Sequence, residues 1–118
     1  MQDIQNNQFL NFDEWIELRK KMFSEYNLGE GRCWEWCIYA YSYLNSIGIH
    51  SFYIKEISNR AIIGNGINYH CWLETTNARE KFIADATAGQ INSNFPLGFY
   101  DFVNNSPNDL RKIYLYEK

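Results

Sequence analysis

The sequence predicts an α+β domain in which helices come first and an antiparallel sheet follows. Two stretches with apolar residues at helical spacing occupy most of the first 48 positions. From position 49 the chain changes to short runs rich in β-branched and aromatic residues, divided by polar breaks. With 118 residues, 46% hydrophobic and 18% aromatic, it has the size of one domain and the material for one core. We therefore read 1–118 as a single domain, with the Gln- and Asn-rich residues 1–10 lying loosely on it.

Each element has its own signal. Asn11 is an N-cap with Glu14 three residues on, the capping-box spacing. Phe12, Trp15, Ile16, Met22, Phe23 and Tyr26 follow at helical intervals, predicting a helix over 12–26 that "NLGEG" ends. A second helix is predicted over 33–47, with Cys37, Ala40, Tyr41, Leu44 and Ile47 as its apolar stripe and Gly48 as its stop. "IHSFYIKEI" (49–57), the residues about 67–75 and those about 80–86 read as strands, with 76–79 as a hairpin connection between the last two. "GQINSNFPLG" reads as loop. Ser106 as N-cap and Pro107 at the first helical position open a short helix, and "IYLYE" predicts a final edge strand.

Composition excludes several classes. A net charge of −3 with no basic run argues against nucleic acid. No apolar stretch approaches the roughly 18–20 residues of a membrane span. The opening "MQDIQNNQF" lacks an export signal. Three cysteines at these spacings make no disulfide framework, so reduced thiols are expected. These features fit a cytoplasmic location, or delivery into a target cell's cytosol by a route not written in the chain.

The chemistry centres on "GEGRCWEW", where Cys33 opens the second helix. The helix dipole and a nearby imidazolium would both favour thiolate there, and the free first-turn N–H groups would suit an oxyanion. A buried, inert thiol is the competing reading. Only two histidines are present, and His70 and Asp85 lie equally far from the centre of the predicted turn at Asn77-Ala78. That symmetry places them opposite one another on one face of the hairpin, within hydrogen-bonding reach. Asp85 could alternatively cap a turn with Thr87.

"GRCWEWCIYAYSYLNSIGI", "HCWLE" and "DAT" resemble, in order and spacing, the core helix, H-x-W-x-E strand and D-x-T element of transglutaminase-like and papain-like thiol enzymes. The likeness covers about 33–87, with Cys37 standing where alanine is commoner and a very short connection between helix and histidine strand. It implies a papain-like core with the nucleophile helix packed on an antiparallel sheet, and a Cys33–His70–Asp85 triad. "DATAGQ" and the small size are most similar to papain-like toxins and effectors that deamidate glutamine in host proteins. The implied activity is a cysteine-dependent amidohydrolase, a glutamine deamidase above all, with transglutaminase or cysteine protease on the same triad as alternatives. A non-catalytic binding module is the reading from another class. The implied partners are a protein substrate and an inhibitor or immunity protein, and the small surface suggests either a large protein substrate that does much of the docking or a fragment of a longer toxin.

Asn27, six residues before Cys33, is either an oxyanion donor, as a glutamine is in papain-like enzymes, or a helix cap. Trp34 either walls a substrate groove or fills core; Trp72 packs beside the site. Cys37 and Cys71 are read as core, and His50 as a surface or structural residue. A zinc site at Cys33, Cys37, His70 and Cys71 is disfavoured, because C-x₃-C within a helix is an unusual knuckle and adjacent strand residues point apart. No metal and no cofactor are expected.

Overall fold

A computed structural model describes residues 10–29, 31–75 and 81–117. Helix α1, Phe12–Glu25, begins with the capping box intact: Glu14 N–H donates to Asn11 Oδ1, and Asn11 N–H to Glu14 Oε1, both at 2.8 Å. Trp15, Leu18 and Met22 are its buried face, whereas Phe12 and Tyr26 stay exposed. Helix α2, Cys33–Ser46, buries Cys33, Trp36, Cys37, Ala40 and Leu44, one helical stripe. That stripe is rotated from the predicted one, so Tyr41 and Ile47 face solvent and Trp36 faces the core. Gly48, at φ 87°, ends α2: its N–H bonds to Asn45 O and that of Ile49 to Leu44 O, a Schellman closure.

The sheet is an antiparallel meander of β1 (Phe52–Ile57), β2 (His70–Thr75), β3 (Ile83–Asp85) and β4 (Gly98–Tyr100), in spatial order β1-β2-β3-β4. All three predicted strands are present but shorter, and the predicted connection at 76–79 lies outside the described residues. Two elements were not expected: helix α3, Arg60–Ile63, and β4, which lies partly within the predicted loop. "IYLYE" is not an edge strand. Helix α4 runs over Asn108–Tyr114 because Leu110, Ile113 and Tyr114, at helical spacing, all bury against the sheet. Pro107 occupies the cap rather than the first helical position, and Ser106 Oγ donates back to Val103 O.

One face of the sheet, through Cys71, Leu73, Phe82, Ala84 and Phe99, packs on α1 and α2. The other, through Ile57, Trp72 and Ile83, packs on α4. Strand β2 is therefore buried on both faces along its whole length. Trp15 anchors the first core, stacking on Phe82 and Phe99 with ring centroids 5.8 and 5.6 Å apart.

The β3–β4 pair is close where Asp85 faces Gly98. A Cβ built on Gly98 would stand 2.7 Å from Asp85 O and 2.9 Å from Ala88 Cβ, so only glycine fits. Gly98→Ala should cost about 1–3 kcal/mol, read as a lowered urea midpoint at unchanged slope. An unaltered midpoint would mean that the strand pair yields freely.

Candidate active site

The structure brings Cys33, His70 and Asp85 together. Cys33 is the first residue of α2, His70 the first of β2 and Asp85 the last of β3. His70 and Asp85 are fully buried, and His70 Nε2 lies 2.7 Å from Asp85 Oδ2. They are not directly opposite, as the turn symmetry predicted. Leu73 pairs with Ala84 and Glu74 with Ile83, so the register differs by two residues and Asp85 falls across from Trp72. A shift of two preserves the face, and a diagonal neighbour is still within reach of an imidazole.

Asp85 accepts four contacts. Besides His70, Tyr114 O–H donates to Oδ2 at 2.8 Å, Thr87 N–H to Oδ1 at 3.2 Å, and Thr87 Oγ1 approaches Oδ1 at 3.4 Å. The two readings of Asp85, turn cap and histidine partner, are thus both realised, one on each oxygen. Burial and the neighbouring Asp85 charge push the Tyr114 phenol well above its ordinary range, so Tyr114 is a neutral donor throughout. Trp72, fully buried, stacks against His70 at 5.9 Å and 29° and donates its indole N–H to Glu74 Oε1 at 3.1 Å.

For His70, burial acts to lower the pKa. The Asp85 carboxylate and the Cys33 thiol outweigh it, and the net shift is upward. The other ring nitrogen meets Gln90, whose Nε2 lies 2.9 Å from Nδ1 while its Oε1 accepts from Gly31 N–H at 2.9 Å. Because Gly31 N–H can only donate, the amide oxygen must face it and the NH₂ must face the ring. In the neutral ring Nδ1 is therefore an acceptor and the proton sits on Nε2 toward Asp85, whereas the second proton that the raised pKa favours requires Gln90 to leave Nδ1. A doubly protonated ring would set Nδ1–H against the NH₂; flipping the amide merely moves the clash to Gly31.

The Cys33 thiol lies near both Cys71 and His70. The neighbouring Cys71 thiol and burial raise its pKa, and His70, pulling the other way, does not overcome them. The expectation of a thiol lowered at the helix terminus is thus reversed in this arrangement, because a second thiol and burial both favour the protonated form. Cys71 is fully buried and points away from the Trp72 face, as alternation requires. It also lies near Cys33 and Cys37, close enough for both thiols to influence its pKa. Cys37 is wholly buried.

A groove opens beside Cys33, lined by Gly31, Asn65, Ile67, Tyr69 and Gln90. Asn27 and Trp34 do not line it. Asn27 is exposed at φ 56°, just after the C-terminus of α1, and Trp34 is 46% exposed. His50 lies on the surface, its Nδ1 2.6 Å from Asn45 Oδ1. Among the described residues no three His, Cys, Asp or Glu side chains converge as a metal site, and no helix is long and apolar enough to cross a membrane. Gln90 and Tyr114 are the site residues that sequence reasoning missed. "DATAGQ" carried a signal for Gln90; Tyr114 had none, since its approach depends on how α4 packs.

Two outcomes follow from this geometry. Cys71→Ala should shift the alkylation profile of Cys33 to lower pH, and an unmoved profile would exclude Cys71 as its partner. His70, with its folded pKa raised, holds a proton that the unfolded chain releases near pH 6.5. Its stabilisation is complete below that value and is lost as pH rises through the folded pKa. The thermal midpoint should fall with rising pH over that window, and fall less steeply in Asp85→Asn, where the carboxylate charge is gone; parallel curves would contradict the assignment.

No protein-family model matches the sequence, and no curated protein or solved structure is similar enough to count as a match.

Proposed function

We propose that the protein is a thiol amidohydrolase that releases ammonia from glutamine side chains of a protein substrate, with Cys33 as nucleophile, His70 as acid–base and Asp85 orienting His70. The observation that carries this reading is the buried His70–Asp85 pair, His70 Nε2 lying 2.7 Å from Asp85 Oδ2, with the Cys33 thiol near enough to the ring for each to shift the other's pKa. The resemblance of "HCWLE" and "DAT" to the H-x-W-x-E and D-x-T elements of papain-like enzymes supports it independently.

Transfer of the Cys33 proton to His70 gives a thiolate beside an imidazolium, stabilised by Asp85 and by the first-turn N–H groups of α2. Sγ attacks the carboxamide carbon, and the oxyanion is held by those backbone donors together with Gly31 N–H, which faces the same groove. His70 then protonates the departing nitrogen, leaving a thioester to Cys33. Water, giving a proton to His70, attacks the thioester and releases glutamate with the thiol restored. Lysine in place of water would make the same site a transglutaminase, and a backbone amide in the seat would make it a protease. The neutral lining of the groove, with Asn65, Ile67 and Tyr69, favours an uncharged carboxamide at the attack position.

Incubation with a panel of glutamine-rich proteins and mass analysis tests the assignment. The expected product is a gain of about one dalton per converted glutamine, falling by roughly a thousandfold or more in Cys33→Ala, His70→Ala and Asp85→Asn. Crosslinks or cleavage would reassign the acyl acceptor or the scissile bond. An unmodified panel would favour a binding module built on this fold.

A further inference from the structure

Gln90 is held by both ends of its carboxamide: Gly31 N–H donates to its oxygen, and its nitrogen contacts His70 Nδ1, each at 2.9 Å. Those are two contacts that a hydrolysable carboxamide needs, a backbone donor on the carbonyl oxygen and, at the nitrogen, the imidazole that protonates the leaving group. Cys33 lies near the same imidazole, and Gly31, Cys33 and Gln90 line one groove. We infer that the Gln90 side chain is an intramolecular stand-in for substrate: it fills the seat for a primary carboxamide, and a substrate glutamine binds by displacing it. The inference deepens, and rests on, the amidohydrolase reading.

Two features fit a displaceable occupant better than a fixed strut. Gln90 is only half-buried and ends a short 3₁₀ turn, Ala88–Gln90, whose following residue is anchored separately by Asn65 Nδ2 donating to Ile91 O at 2.7 Å. The side chain can therefore leave without the turn coming away. The catalytic cycle also requires an imidazolium, and Nδ1–H and the Gln90 NH₂ are mutually exclusive. Protonation of Nδ1 thus breaks the Gln90 contact, whereas a substrate nitrogen, made tetrahedral by attack of Sγ, offers Nδ1–H a lone pair.

Alkylation of native protein separates occupancy from support, using iodoacetamide, which carries a primary carboxamide, against N-ethylmaleimide, which does not. If the seat is free about a tenth of the time, Gln90→Ala raises the iodoacetamide rate at Cys33 about tenfold, with a much smaller gain for N-ethylmaleimide. Cys37 and Cys71 must stay unreactive as a check on folding. Gln90→Asn, one methylene shorter, should open the seat in the same way and carries the test if the alanine variant unfolds. An unchanged or slower Cys33, or equal acceleration by both reagents, overturns the inference. Ammonia release from a blocked glutamine dipeptide is followed on the same samples; its absence beside selective acceleration would remove the hydrolase reading and leave the carboxamide seat standing.

Discussion

A carboxylate with no solvent exposure sits where the sheet meets α4, and its charge is tolerable only because donors from separate parts of the chain surround it. Asp85 draws His70 from β2, Tyr114 from α4 and Thr87 from the turn that follows it. Removing one partner from a buried charge typically costs about 3–5 kcal/mol, so these contacts also fix the elements that provide them. Tyr114 explains why the chain's end is helix rather than strand: only a helix presents Leu110, Ile113 and Tyr114 together to the sheet. Gly98 explains how β4 comes close enough to flank Asp85 at all.

A second buried carboxylate, Glu74, lies four residues beyond His70 on β2. It accepts from Tyr53 O–H and Trp72 Nε1, and pairs with Lys81 at 2.9 Å. Trp72, between the two acids, stacks on His70 and is hydrogen-bonded to Glu74. The alternation of β2 puts His70, Trp72 and Glu74 on the polar-laced face and Cys71 and Leu73 on the α2 face. His70, at the strand's first position, can turn around its end toward Cys33. This is how a histidine on one face and a thiol packed on the other come to lie near each other.

The site contains opposing demands on one imidazole. Asp85 favours its second proton and Gln90 requires Nδ1 bare, while the neighbouring Cys71 and burial hold the Cys33 thiol protonated. A thiol kept protonated beside an imidazole capped by an amide describes an arrangement in which the two groups lie together without a free thiolate. Such restraint suits a reactive thiol, since oxidation and stray alkylation both proceed through the thiolate.

Local rules were legible in the sequence because they act between near neighbours. Asn11 with Glu14 dictated the start of α1, Gly48 the end of α2, and the β-branched runs the strands. The candidates Cys33, His70 and Asp85 came from residue type, from a turn symmetry that places His70 and Asp85 on one face, and from the resemblance of their motifs to papain-like enzymes. Other features were decided by tertiary structure. The hairpin register moved by two residues, since strand pairing is set by how both faces of β2 pack and not by symmetry about a turn. Trp36 replaced Tyr41 in the buried stripe because α2 is turned to set Trp36 against Trp15 in the core. Tyr114 reached Asp85, Gln90 reached His70 and Cys71 reached Cys33 across 29, 20 and 38 positions of chain (for the last, from residue 33 to 71). No pattern in a linear sequence encodes such distances; they follow from the one packing that satisfies a buried charge while filling both cores.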